Sequence, residues 1–291
     1  MVKRVAYLGP PGTFSEEAAL RYEPQGHLIP FPSITAVAAA VDTGMADEGV
    51  TPIENSLEGS VPDTLDLLIH ESKLLIRQEL VMPIENHLLA KPDTHVQEIK
   101  VIFSHPQALA QCRRFLERCF PQASMVAALS TASAVEQMMS HPAPAAAIAT
   151  QRAATLYGAR VIAKNVQDRS PNVTRFVILA HEDHPPTGQD KTSLCFSFAQ
   201  DHPGLLCGVL QEFADRNINL SKVESRPSKE SLGQYIFLID FEGHRQDPFV
   251  AEMLARVSAK VSLLKIFGSY PRHKSEERQS SSLSPSVAND K

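Results

Sequence analysis

Ser170-Pro171-Asn172-Val173-Thr174-Arg175-Phe176-Val177-Ile178-Leu179-Ala180 is the stretch around which this 291-residue chain is organised. A polar, proline-stiffened turn delivers Thr174 and Arg175 to the mouth of the apolar run 176–180, which reads as a buried strand. A hydroxyl and a guanidinium at such a place suit the handling of an anion in an α/β protein. Taken alone, the stretch is better satisfied by a plainer reading: a strand that begins with a β-branched Thr and a solvated Arg. The surrounding segments decide between the two.

Upstream, strands alternate with helices. A strand over 2–8 runs into Gly9-Pro10-Pro11-Gly12, and Thr13 and Glu16 stand at capping-box spacing ahead of a helix. The turn lacks both Gly-x-Gly-x-x-Gly and Gly-Lys-Ser/Thr, which argues against a nucleotide site. Ser33 opens a helix over 34–43, closed by Gly44, and the next strand runs into Thr51-Pro52-Ile53-Glu54-Asn55-Ser56-Leu57-Glu58-Gly59-Ser60. A helix cap explains Ser60, but not Glu54, Asn55 and Ser56, whose carboxylate, amide and hydroxyl suit a polar small molecule. Pro-Ile-Glu-Asn recurs at 83–86, where a sheet crossing between lobes is expected.

A short strand over 101–103 ends at Ser104-His105-Pro106-Gln107. Ser104 and Gln107 are spaced as a capping box, with Gln111 one turn further on. Ser130-Thr131-Ala132-Ser133 opens a helix over 134–139, with Ser133 and Glu136 as its expected capping box. A strand over 146–149, a helix over 150–157 stopped by Gly158 and a strand over 161–163 lead to the opening stretch. This alternation predicts largely parallel sheets flanked by helices, and there are enough segments for two lobes around a crevice.

The pattern changes after a polar linker, 182–191. A strand over 192–199, a helix over 203–217, strands over 218–228 and 232–241, a helix over 248–259 and a strand over 261–267 give βαββαβ, the ferredoxin-like order. The expected division is therefore a first domain over 1–181, a second over 192–270, and a disordered Lys/Glu/Ser-rich tail over 271–291.

A net charge of -5 and the absence of a basic cluster interleaved with aromatics argue against nucleic acid as a partner. Cys112, Cys119, Cys195 and Cys207 show neither Cys-x-x-Cys nor nearby His at ligand spacing, so no metal site or disulfide framework is signalled and reduced core cysteines are expected. The apolar run at 5–8 is too short for a signal-peptide core, and no segment approaches a membrane span. A cytoplasmic location is the expectation.

With these loops assembled, the chain closely resembles the prephenate dehydratase family in its form with a C-terminal ACT regulatory domain. The resemblance rests on Leu8-Gly9-Pro10 with Gly12-Thr13-Phe14-Ser15, Pro52-Ile53-Glu54-Asn55-Ser56 with Glu58-Gly59, Ser104-His105-Pro106-Gln107-Ala108-Leu109-Ala110-Gln111-Cys112, and Asn172-Val173-Thr174-Arg175-Phe176. In the second half it rests on His202-Pro203-Gly204-Leu205 and Glu224-Ser225-Arg226-Pro227. The resemblance implies a two-lobed, periplasmic-binding-protein-like catalytic domain without cofactor or metal, and the conversion of prephenate to phenylpyruvate with loss of carbon dioxide and the ring hydroxyl. It implies an enzyme of phenylalanine biosynthesis, and, with no chorismate mutase segment ahead of Met1, a monofunctional one is expected.

Carried over residue by residue, Thr174 is the donor to the leaving hydroxyl, and Glu54 tunes its proton supply. Asn55, Ser56, Ser104, Gln111, Thr131 and Phe176 contact substrate, and Arg175 either contacts a substrate carboxylate or serves as a structural charge partner. The resemblance also implies feedback by L-phenylalanine bound by Pro203, Gly204, Leu205, Glu224, Ser225, Arg226 and Pro227 between ACT domains, and hence a homodimer or homotetramer. Leu206-Cys207 departs from the family's usual small and aliphatic residues. Two alternatives stay open: an arogenate dehydratase, and a non-catalytic amino-acid sensor on the same fold.

Overall fold

The computed structural model describes residues 2–200, 202–229 and 233–273. The first lobe holds β1 (Arg4–Leu8), α1 (Phe14–Tyr22), β2 (His27–Phe31), α2 (Ile34–Asp42), β3 (Glu48–Asn55), the short β4 (Gly59–Ser60), α3 (Pro62–Asp66) and β5 (Leu75–Pro83). The second holds β6 (His87–Ala90), β7 (Val101–Ser104), α4 (Pro106–Gln111), α5 (Arg113–Cys119), β8 (Ser124–Ala127), α6 (Thr131–Ser140), β9 (Ala145–Ala149), α7 (Gln151–Tyr157) and β10 (Arg160–Ala163). The chain then returns to the first lobe as β11 (Val173–Ala180).

Local chemistry explains where the helices begin. Thr13 caps α1 by accepting from the Glu16 N–H at 3.4 Å, but the Glu16 carboxylate does not complete a box. It accepts instead from Gly12 N–H at 2.7 Å and pairs with Arg152 of the second lobe at 3.1 Å. Ser33 caps α2, whose Ile34, Val37, Ala38 and Val41 are buried. The expected helix over 134–139 starts three residues earlier, at Thr131, because Ser130 is the cap and Ser133 closes the box back onto it. Ser104 likewise caps nothing: His105 Nδ1 accepts from Gln107 N–H, while the Ser104 hydroxyl donates to the Ile148 carbonyl at 2.7 Å.

Both sheets of the lobes are mixed, where largely parallel ones were expected. The first runs β2-β1-β3-β11-β5 and the second β10-β6-β9-β7-β8. In the first, β1, β2 and β3 are parallel, but β11 lies antiparallel between β3 and β5. The departure follows from the two crossings between lobes: the chain leaves on β5 and returns on β11, and each crossing ends in an antiparallel pair. Phe176, Ile178 and Met82 face the α1 side of this sheet, and Val177, Leu179 and Ile76 the α2 side. That alternation is the ordinary period of two.

Residues beyond the lobes give β12 (Asp190–Ser197), α8 (Leu205–Ala214), β13 (Leu220–Pro227), β14 (Tyr235–Glu242), α9 (Pro248–Ser258) and β15 (Leu263–Pro271). The expected βαββαβ order is present, with an antiparallel sheet β13-β14-β12-β15. The last strand extends to Pro271, so the expected tail begins later; 274–291 lie outside the described residues. Of the cysteines, Cys112 and Cys195 are buried, whereas Cys119 and Cys207 are exposed, so only two are core residues.

The second module is fused to the first lobe rather than tethered to it. Cys195, Ile236, Leu238, Phe267 and Tyr270 share one apolar cluster with Ile53, Leu65, Ile76, Val177 and Leu179. In the connection, the Asp183 carboxylate accepts from the Ser269 N–H and pairs with Arg245 at 2.7 Å. At Gly268 the backbones touch: a Cβ there would stand 2.2 Å from the Ile76 carbonyl oxygen. Only glycine permits that approach.

Candidate active site

A crevice of about 350 Å³ lies between the lobes. The first lobe lines it with the turn before α1 and the start of that helix (Gly9, Thr13, Phe14, Ser15) and with Asn55, Thr174 and Phe176 from β3 and β11. The second contributes Asn86, Gln107, Gln111, Leu129, Ser130 and Thr131. A hydrogen bond from Thr150 to the Gly12 carbonyl at 2.8 Å and the Glu16–Arg152 pair join the lobes beside it.

The centre of the wall is a chain of amides whose orientation is fixed from one end. Asn55 Oδ1 accepts from the N–H groups of Leu57 and Glu58, at 2.9 and 3.1 Å. Its Nδ2 must therefore face the other way, and it donates to Asn172 Oδ1 at 2.8 Å and to Thr174 Oγ1 at 2.9 Å. Asn172 Nδ2 then donates to Gln111 Oε1 at 3.1 Å, and Gln111 Nε2 to Glu58 Oε1 at 3.3 Å. Two consequences follow. The Thr174 oxygen accepts, so its own proton is left to donate, and among the described residues no acceptor takes it. Gln111, on the second lobe, ties the wall to the opposite side of the crevice.

No Lys or Arg lines the crevice among the described residues. The N-termini of α1 and α6 open onto it instead, through Thr13, Phe14 and Ser15 on one side and Ser130 and Thr131 on the other. Helix N-termini present N–H groups and a partial positive charge, a setting that favours anions. The apolar part of the wall includes Phe14, Ile84, Phe176 and Leu129, of which Leu129 is 94% exposed.

Of the residues singled out from sequence, the structure brings Thr174, Asn55, Gln111, Thr131 and Phe176 to one crevice. It takes four others elsewhere. Ser104 is fully buried against Ile148. Ser56 Oγ accepts from the Val173 N–H at 3.0 Å, clamping β11 to the loop after β3. Glu54 and Arg175 lie on the opposite face of the strand pair, because each precedes or follows a crevice residue by one. Arg175 pairs there with Glu54 at 3.0 Å, Glu79 at 3.3 Å and Asp240 at 2.7 Å, and Glu54 also meets Lys222 at 3.6 Å. Burial by itself would lower the Arg175 pKa, but the three carboxylates outweigh it and hold the guanidinium charged.

Sequence reasoning missed Asn86, in the second Pro-Ile-Glu-Asn copy. It is 1% exposed, donates weakly to Gln111 Oε1 at 3.4 Å, and has an Oδ1 without a partner among the described residues. The repetition of Asn55's own tetrapeptide was the available signal. His105, Gln107 and the α1 turn were also missed as lining residues, being read as caps and turns.

The residues expected to bind an effector fall on two elements. Gly204 precedes α8 with a left-handed backbone, φ +91°, and Pro203 and Leu205 flank it. On edge strand β13, residues alternate: Glu224 and Arg226 point at the first lobe, bonding to Ser60 at 2.5 Å and Asp66 at 2.5 Å. Ser225 and Pro227 are exposed. Burial pushes the Glu224 carboxyl upward, but its bonds from Ser60 and Lys222 more than compensate, leaving it below the ordinary value.

A family model described as prephenate dehydratase matches residues 5–184, and one described as ACT domain matches 193–257. The chain is 42% identical over 270 residues to a bifunctional chorismate mutase/prephenate dehydratase of Aquifex aeolicus, covering 92% of this chain and 74% of the relative. It is 39% identical over 276 residues to a prephenate dehydratase of Lactococcus lactis, covering 92% and 98%. The solved structure of a prephenate dehydratase in complex with L-Phe from Arthrobacter aurescens superposes with a TM-score of 0.85 at 36% identity, covering 92% of this chain and 90% of that one.

Proposed function

The chain belongs to the prephenate dehydratase family, with an ACT domain following the catalytic one, and from that premise we propose how its crevice carries out the reaction. The protein is a hydro-lyase that turns prephenate into phenylpyruvate. Two bonds break in the substrate, one to the ring carboxylate and one to the ring hydroxyl. The electron pair of the first becomes part of the aromatic ring as the hydroxide departs. Aromatisation drives the step, so the protein has only to hold the dianion and ease the departure of hydroxide.

Thr174 donates its hydrogen bond to that leaving oxygen, and Asn55, by donating to Thr174 Oγ1, turns the threonine proton toward it. This is the observation that carries the assignment. The leaving hydroxide takes its proton from solvent, since Glu54, paired with Arg175 and Lys222 on the far face, is badly placed to supply one. The α1 and α6 N-termini receive the carboxylates, Gln111 and Thr131 orient the ring substituents, and Phe176 packs against the ring.

L-Phenylalanine acts as feedback effector through the ACT domain, with Pro203 to Leu205 and Glu224 to Pro227 as its contacts. Assembly as a homodimer or homotetramer, a cytoplasmic location, and domain limits at 1–181 and 192–270 belong to the same proposal. No helix among the described residues is long and apolar enough to cross a membrane.

The test is to give prephenate and arogenate separately to the purified chain, with and without phenylalanine. Phenylpyruvate from prephenate, formed more slowly when phenylalanine is present, is the expected result. Turnover of arogenate alone would move the substrate to the amino acid, and turnover of neither would replace the enzyme by a ligand-binding protein.

A further inference from the structure

Arg175 stands next to the proposed donor yet faces away from the crevice, and it is 9% exposed. All three of its carboxylate partners are tied to the second module. Asp240 belongs to β14, and its other oxygen accepts from Ser193 Oγ at 2.6 Å, which in turn meets the buried Tyr270 hydroxyl at 2.6 Å. Glu79 holds Lys191 of β12 at 3.0 Å, and Glu54 holds Lys222 of β13 at 3.6 Å. Both terminal nitrogens of the guanidinium are thus taken by protein carboxylates, and Nε, the one donor without a partner among the described residues, is itself buried.

The register of β3 on β11 places Thr174 opposite Asn55 and Arg175 opposite Glu54, one pair on each face. Between Arg175 and Phe176 that register slips, with Phe176 opposite Pro52, so Ile53 is an extra residue on β3. Such a bulge interrupts the ladder and lets the strand bend. The Asn55–Thr174 contact sits beside this slip, with the Ser56–Val173 bonds and the β5 register, unbroken from Val173 to Ile178, on one side of it and the ion cluster one residue away on the other.

We propose that Arg175 is a positioning residue: gripped by Asp240, it holds β3 and β11 so that Asn55 stays bonded to Thr174, and the second module reaches the crevice through this ion pair. The inference rests on the dehydratase reading above.

The test uses the full chain with Arg175→Lys, Asp240→Asn and their combination. Each single variant is expected to lower kcat for prephenate about tenfold with KM changed less than about twofold, and the double variant to match Arg175→Lys alone. Asp66→Asn breaks the Arg226 contact between the modules without touching β11, and should keep kcat. A large rise in KM at unchanged kcat would make Arg175 a substrate ligand and overturn the proposal. So would additive losses, or an equal loss of kcat in Asp66→Asn.

Hydrogen exchange supplies a readout that needs no turnover. Amides of 172–180 should exchange faster in Asp240→Asn, which leaves Glu54 and Glu79 on Arg175 and so keeps the fold should Arg175→Lys lose it. Unchanged exchange there would also overturn the proposal. If the wild-type chain failed to process prephenate, the dehydratase reading would fall, and the exchange measurement would still decide the coupling.

Discussion

The β3–β11 pair has two faces built on opposite chemistry. Toward the crevice stand neutral amides and a hydroxyl, with Asn55 orienting both Asn172 and Thr174. Toward the second module stand full charges in a largely dry layer: Glu54, Arg175, Glu79, Asp240 and Lys191. The difference teaches where each kind of group is useful. Neutral donors on a wall can follow a charge that appears only as a bond breaks, without already holding a counter-ion. Enclosed ion pairs are stiff, and removing one partner strands the other, so they suit holding strands in place.

Altering one face and reading the other tests this division. The largest effect is expected from Thr174→Val, which removes the donor and keeps the shape. It should lower kcat by roughly a hundredfold or more while the unfolding midpoint hardly moves. Near-normal phenylpyruvate formation would remove Thr174 from the mechanism.

Glu79→Ala attacks the charged face, leaving Arg175 and Lys191 short of a buried partner. A loss of about 3 kcal/mol in denaturant unfolding is expected, the usual consequence of halving a buried pair. A loss below about 1 kcal/mol would mean that the cluster behaves as a surface one.

Asn55→Ala should lower kcat by roughly tenfold to a hundredfold, since Thr174 keeps its hydroxyl but loses its orientation. A change confined to KM would make Asn55 a binding group only.

The smallest effect concerns Glu224, whose carboxyl is held below its ordinary value of 4.5 in the folded chain. A depressed acid stabilises the fold above its unfolded pKa, and that contribution disappears as pH falls through the folded value. The melting-temperature gap between wild type and Glu224→Gln should therefore be present at pH 6 and shrink below pH 4.5. A gap that stays constant would separate the contact with Ser60 from the carboxylate charge.

Much of this architecture was legible in sequence because it is local. Strand–helix alternation and the change to βαββαβ follow from periodicity, and the starts of α1, α2, α4, α6 and α7 carry a capping side chain. Thr174, Asn55, Gln111 and Thr131 could be picked out from the motifs that carry them. Ser104 could not, because its partner, the Ile148 carbonyl, lies 44 residues away. Glu54 and Arg175 were assigned to the crevice by their neighbours, although the period of two puts adjacent residues of a strand on opposite faces. The parallel sheets were misjudged for a related reason: strand direction is decided by which lobe the chain comes from, and no local pattern records that.

Gly268, finally, bears on how this protein can be altered as a whole. Because a Cβ at 268 would meet the Ile76 carbonyl oxygen at 2.2 Å, the modules are welded along β15 and β5 and are not interchangeable cassettes. A chimera that takes its regulatory half from a relative must bring a glycine at that point and a β5 shaped to receive it. Inheritance of the two halves is to that extent joint, and a substitution at this one position, remote from any reacting atom, would part them.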